Sequence, residues 1–240
     1  MKEIEELIDG MEEELKEIRR YFHSHPELSN QEFATADRIC EYLDRWGVEY
    51  ERGIAGTGIV AMVRGKKPGK TVGIRADMDA LPVEEENDVP YRSEQPGVMH
   101  ACGHDAHMTV LLGAAKVFQT MRDRLSGNVK FFFQPAEETT GGAKDLCQSG
   151  VFEAHHVRCV FGMHLWPDLP AGVIASRKKE LTKKMAGDLL KKGRTSVKGM
   201  WSEKKGSTYD AVVVLDDTGE KYVRFKLEFP KRKEGVNGKK

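Results

Sequence analysis

Ile4, Leu7, Ile8, Met11, Leu15 and Ile18 recur at helical spacing, which predicts one amphipathic helix from Lys2 to about His23, closed by His25-Pro26-Glu27. Phe33, Ala36, Ile39, Cys40 and Leu43 repeat the pattern and predict a second helix over Gln31–Trp46, stopped by Gly47. The period then shortens. Gly58–Arg64 and Thr71–Ala76 read as strands joined by the turn Lys66-Lys67-Pro68-Gly69. Ala106–Met121 is a strongly apolar helix, and Asn128–Gln134 is a strand whose continuous apolar run predicts burial on both faces. Gly142–Gln148 follows as a short helix and Val157–Met163 as another buried strand. Helices alternating with apolar strands predict an α/β layer fold around a mostly parallel or mixed sheet.

Past Arg177 the texture changes. Leu181–Lys192 reads as a short basic helix, and Thr195–Met200, Tyr209–Asp216 and Tyr222–Phe229 as three strands joined by glycine-containing turns. In the last of these, Tyr222, Arg224, Lys226 and Glu228 alternate with Val223, Phe225, Leu227 and Phe229, the pattern of an antiparallel hairpin with one wet face. Lys231–Lys240 reads as a frayed tail.

Charge sharpens this division. Residues 1–177 carry 20 Lys and Arg against 29 Asp and Glu, whereas residues 178–240 carry 18 against 9. All eight His and all four Cys lie in the first part. The expected organisation is therefore a catalytic-type domain over 1–177 and a small basic antiparallel β module over 178–240. A content of 39% hydrophobic and 32% charged residues fits a globular chain. No apolar run reaches the roughly 18 residues of a membrane helix, and the acidic start lacks a signal-peptide pattern, so the expected location is the cytoplasm, with no membrane partner. The scattered cysteines then read as free thiols or metal ligands rather than disulfides.

Four segments carry metal-type donors, each beside the end of a predicted strand or helix. They are Arg75-Ala76-Asp77-Met78-Asp79, His100-Ala101-Cys102-Gly103-His104-Asp105-Ala106-His107, Gln134-Pro135-Ala136-Glu137-Glu138, and Gly162-Met163-His164. Each has a plainer reading on its own. An Asp-x-Asp is more often a turn, an isolated His a packed core residue, and a Glu pair solvated surface charge. Their joint placement favours chemistry, because open α/β sheets build sites where strands end and adjacent divalent cations need several carboxylate, imidazole or thiolate donors. Adjacent glutamates also let one bind metal while the other serves as base.

Arg20–Glu32, with His23, Pro26, Glu27, Leu28 and Glu32, together with Arg75–Pro82, His100–His107, Gln134–Glu138 with Gly141-Gly142-Ala143, and Gly162–Pro167, resembles in order the motifs of a metallo-amidohydrolase family. That family includes hippurate hydrolase, N-acyl-amino-acid deacylases and auxin-conjugate hydrolases. The resemblance covers residues 10–177 and implies a zinc-peptidase-like α/β/α catalytic domain. It implies two divalent ions (Zn, Mn or Co) with Cys102, His104, Glu138 and His164 as ligands, Glu137 as general base, and Asp79 as an orienting carboxylate. Asp77 stands where more distant relatives place a ligand His, and Asp105 and His107 are implied as groups behind the ligands or at the helix start. The implied reaction is hydrolysis of the amide bond of an N-acyl amino acid or a similar small conjugate.

The chain departs from this pattern after Arg177. Such enzymes continue into a lid that also mediates dimerisation and then return with a further ligand His. Here no His follows His164. The expectation is an incomplete catalytic domain with one tightly held ion, no dimerisation domain and impaired activity. Residues 180–230 instead resemble the small C-terminal repeat of bacterial type IA DNA topoisomerases. The +9 charge balance of this part and its exposed aromatics point to weak nucleic-acid contact through Lys198, Trp201, Lys204 and Lys205. The competing readings are a nucleic-acid-binding fusion protein with a dead metal domain, and a fusion fragment without function.

Overall fold

In a computed structural model of the chain, which describes residues 2–154, 156–166, 175–176, 179–180, 182, 184–185, 188, 192, 194–202, 206–216 and 224–228, the run Phe131-Phe132-Phe133 lies at the heart of a five-stranded sheet. The strands are β1 (Glu49–Ile54), β2 (Gly58–Arg64), β3 (Lys67–Asp77), β4 (Ser126–Gln134) and β5 (Val157–Gly162), in the order β1-β2-β4-β3-β5. β1 pairs antiparallel with β2, and β2 with β4, whereas β3 runs parallel to both β4 and β5. The sheet is therefore mixed, as expected. Successive side chains of a strand point to opposite faces. Phe131 and Phe133 accordingly join one core, and Phe132 joins the other.

The first core lies under three helices, α2 (Glu12–Ser24), α3 (Phe33–Arg45) and α4 (His104–Thr120). Ile18 and Phe22 of α2, Ile39 and Leu43 of α3, and Met108, Leu111 and Leu112 of α4 bury their apolar stripes against Ile59, Ala61, Val63, Phe131 and Phe133. The opposite face is covered by α5 (Ala143–Gln148), whose Leu146 meets Val60, Phe132 and Val151. This is the expected α/β/α layering with a thin second layer. Gly73 has no room for a side chain, because a Cβ there would lie 2.7 Å from the Phe132 ring and 3.0 Å from Val160.

Two expectations need correction, and one strand carries no signal in the sequence. The single helix over Lys2–His23 is two, α1 (Lys2–Asp9) and α2, broken at Gly10, a residue that costs about 1 kcal/mol in a helix interior. β1 was not predicted, because its Glu49, Glu51 and Arg52 are solvated on an edge strand and leave no apolar signature. β5, expected to be buried, is a half-exposed strand at the other edge of the sheet, with Val160 at 43% exposure. Its apolar sequence reports neighbours that the described strands supply only on the β3 side.

Contacts divide the chain into two units, residues 1–165 and 166–240, a division that falls ahead of the charge reversal. The second unit holds β8 (Arg194–Ser202), β9 (Ser207–Asp216) and β10 (Arg224–Glu228) in an antiparallel sheet ordered β10-β9-β8. Val197, Met200 and Ala211 form its small core. A two-residue antiparallel pair, β6 (Ala175–Ser176) with β7 (Lys179–Glu180), also lies in this unit. The expected helix over Leu181–Lys192 and the tail Lys231–Lys240 lie largely or wholly outside the described residues. Lys198 is exposed on β8, Trp201 pairs there with Thr208 through the backbone, and Lys204 and Lys205 lie outside the described residues. No described helix is long and apolar enough to cross a membrane.

Candidate metal centre

Parallel pairing brings the donor segments together. Asp77 at the end of β3 stands in register with Gln134 at the end of β4, and Arg75 with Gly162 at the end of β5. The three strands therefore release Asp77–Asp79, Pro135–Glu138 and Met163–Leu165 from one edge of the sheet. α4 begins beside them at His104, preceded by Gly103 in the left-handed region at φ 83°. Cys102, His104 and His164 offer donor atoms that all lie within 4.8 Å of one another, and so do His104, Glu137 and Glu138.

The tautomers follow from the hydrogen bonds. His104 Nδ1 donates to the Asp79 carbonyl at 2.8 Å, which leaves the lone pair on Nε2. That Nε2 is buried without a hydrogen-bond partner among the described residues, 3.6 Å from Glu138 Oε1, which is in the same condition. His164 Nδ1 donates to the Leu165 carbonyl at 2.5 Å, so its Nε2 lone pair faces Cys102 Sγ at 3.2 Å. A metal-bound imidazole is held in this way, with the far nitrogen donating to a fixed acceptor. Buried polar atoms are ordinarily paired, so the two orphan atoms fit a cation placed between them.

Electrostatics agree with that fit. The Cys102 thiol is pushed up to about 12 by burial first, and then by the hydrogen bond and charge of Glu138 and the charges of Glu137 and Asp77. A divalent cation at this point would oppose that negative field and favour the thiolate. Burial pushes the Asp79 carboxyl up, but hydrogen bonds from His104, Ser29 and the backbone N–H groups of Glu138 and Glu137 override it and hold it below the usual range. Ser29 Oγ donates to Asp79 Oδ2 at 2.6 Å, and the Glu138 N–H donates to the same oxygen at 3.0 Å.

Asp77, His104 and His107 also form a close group. It is a poor cation site. Arg75 already pairs with Asp77, and the Leu165 N–H donates to His107 Nε2 at 3.0 Å, which puts the proton of that ring on Nδ1. Asp105 belongs to none of these donor groups among the described residues. It is fully buried, with Arg19 Nε at 2.8 Å and His23 Nδ1 at 2.7 Å from its Oδ2. The other nitrogen of His23 donates to Glu85 Oε1 at 3.0 Å. The hydrogen bond to Asp105 raises the His23 pKa, and burial only partly opposes it. His100 is buried nearby and is pushed down to about 4 by burial.

Ser29, Glu85 and the buried Glu32 were not singled out by their chemistry. Glu32 accepts from Thr57 Oγ1 at 2.7 Å and from the Ala136 N–H at 2.8 Å, and so ties α3 to the loop that carries Glu137 and Glu138. Each acts through a partner distant in sequence, so no local spacing marks it.

A model of peptidase family M20/M25/M40 matches residues 73–234. An N-acyl-L-amino acid amidohydrolase of Geobacillus stearothermophilus is 46% identical over 175 residues, covering 72% of this chain and 46% of that protein. Thermostable carboxypeptidase 2 of Saccharolobus solfataricus is 45% identical over 183 residues, covering 72% and 46%. The chain thus spans less than half the length of these curated relatives. Among solved structures, the Bacillus subtilis YXEP protein, a dinuclear metal binding peptidase, superposes with a TM-score of 0.67 at 32% identity, covering 83% of this chain and 62% of that one. The family match runs through β8, β9 and β10, and it lends no support to the topoisomerase-repeat resemblance.

Proposed function

This chain belongs to peptidase family M20/M25/M40, and from that premise we propose that its amino-terminal unit binds divalent metal and hydrolyses the amide bond of small N-acyl amino acids. The observation that carries the reading is the convergence of Cys102, His104, His164 and Glu138, with both ligand imidazoles turned so that Nε2 faces the donors. Thiolate, imidazole and carboxylate together suit Zn²⁺, Co²⁺ or Mn²⁺. Cys102, His104 and His164 would give one ion three donors, with Glu138 Oε1 facing it 3.6 Å from His104 Nε2. Few of these donors remain for a second ion, which would be held weakly.

A bound divalent ion supplies a Lewis acid toward the amide carbonyl and acidifies water. The other work belongs to side chains. Glu137, exposed beside Glu138, takes the proton from the water that attacks the carbonyl carbon. It returns that proton to the amine nitrogen as the C–N bond breaks, releasing a carboxylate and a free amino acid. Asp79 holds His104 through its carbonyl and the Glu138 backbone through its carboxylate, so one residue orients both sides of the centre.

The test is metal analysis with turnover of N-acetyl and N-benzoyl amino acids by the full chain loaded with Zn²⁺, Co²⁺ or Mn²⁺. Slow release of free amino acid is expected, because the second ion is weakly held. Glu137→Gln should lower it by about 10²–10⁴-fold while leaving metal content unchanged. A loaded chain that frees no amino acid from any of these substrates would overturn the hydrolase reading.

A further inference from the structure

His107 lies in the first turn of α4, three residues past His104, and its side chain is 5% exposed. Its ring stands 4.8 Å from that of His164, at 69°. The chemistry proposed above gives it no role, and its geometry excludes the obvious one. A ligand nitrogen must present a lone pair, but the lone pair of His107 is engaged. Nε2 accepts the Leu165 N–H at 3.0 Å, and Nδ1 carries the proton toward Asp77 Oδ2 at 3.7 Å. Asp77 is itself paired with Arg75.

The next link is the Leu165 peptide. Its N–H is held by His107, and its carbonyl accepts the Nδ1 proton of His164 at 2.5 Å. The N–H anchors the backbone and the carbonyl fixes the tautomer and rotation of the His164 ring, which sets where its Nε2 points relative to Cys102 Sγ. The half-exposed Leu165 side chain lies against Gly103, where an added Cβ would come within 3.1 Å of its Cδ1. β5, which leads into the segment carrying His164, ends at Gly162 and is an edge strand of the sheet.

We propose that His107 is a positioning residue for His164: its Nε2 fixes the Leu165 peptide, whose carbonyl holds His164 in the tautomer that can bind metal. This rests on the reading of Cys102, His104 and His164 as a metal centre.

The experiment uses Co²⁺ as probe on the full chain, with affinity followed through the thiolate-to-cobalt charge-transfer band. Two-bond ¹⁵N–¹H spectra of labelled histidines report the His164 tautomer in metal-free protein. His107→Gln places an amide oxygen near the former Nε2 and should keep both the affinity and the Nδ1–H tautomer. His107→Asn reaches only the former Nδ1 position, and His107→Leu fills space without an acceptor. Both should weaken Co²⁺ binding about 10–100-fold, the usual cost of losing an outer partner, and should mix the His164 tautomers. Rescue by Asn rather than Gln would mean that Nδ1 is the working atom, and would overturn the proposal. Parent-like behaviour of His107→Leu would overturn it too, as would equal loss in all three variants with a collapsed far-ultraviolet spectrum. Cys102→Ser and His164→Gln separate the two levels. If they bind Co²⁺ as the parent does, the metal centre itself is wrong. If they lose it while His107→Leu keeps it, only the positioning role fails.

Discussion

Asp105 and Glu32 are buried carboxylates that belong to none of the donor groups found among the described residues. Glu32 is fully buried and accepts one hydrogen bond with each oxygen. Replacing it with Ala strands the Thr57 hydroxyl and the Ala136 N–H, and a stranded buried donor costs about 1–3 kcal/mol. Urea unfolding of Glu32→Ala should show a loss of that size and a weaker metal affinity. An unchanged midpoint would mean that the loop of Ala136, which holds φ 51°, is fixed by other contacts. The Asp105–His23–Glu85 chain makes a prediction in pH. The His23 pKa is raised, so its contribution is fully present below its unfolded value of about 6.5 and is lost as pH rises through the folded one. Glu85 is lowered to about 2 by the Ser93 N–H and His23 against the opposing effect of burial. Its contribution is present above an unfolded value of about 4.3 and is lost as pH falls toward the folded one. The network is therefore strongest between about pH 4.3 and 6.5. The stability gap between parent and His23→Gln should be widest near pH 5.5 and should narrow in alkaline buffer. A gap that widens with pH contradicts the assignment.

Among the elements, α4 and β4 set the site. α4 starts where a glycine can take φ 83°, which turns Cys102 and His104 toward a common point. Gly103→Ala combines a left-handed alanine, costing about 1–2 kcal/mol, with a 3.1 Å approach to Leu165. It should lower the melting temperature and loosen Co²⁺ binding together. Retained affinity would show that the turn is not what aims the donors. β4 carries one phenylalanine into the thin α5 layer and two into the thick one. Phe132→Ala should cost about 3–5 kcal/mol in chemical denaturation. The buried Lys130 on the same strand donates to the Val151 carbonyl, and burial lowers its pKa, so the α5 side of the sheet carries a charge that Phe132 helps to enclose.

For the whole molecule, every proposed metal donor lies in the unit of residues 1–165, and β8, β9 and β10 form a sheet of their own. A chain cut after Leu165 should therefore retain Co²⁺ binding, checked by the same charge-transfer band. Loss of binding in a folded fragment would mean that the second unit supports the centre. The division of information between sequence and structure follows from distance along the chain. The sequence determined the helices α3 and α4, the strands β2, β3 and β4, and the four donor segments, because periodicity and motif chemistry are written in neighbouring residues. It also carried the charge reversal after Arg177. Tertiary structure alone decided that β4 lies between β2 and β3 and that β5 is an edge. It alone joined Ser29 to Asp79, Glu85 to His23, and His107 to a peptide 58 residues away. Strand order, edge position and the placing of each lone pair depend on which distant groups meet, and no local pattern encodes that meeting.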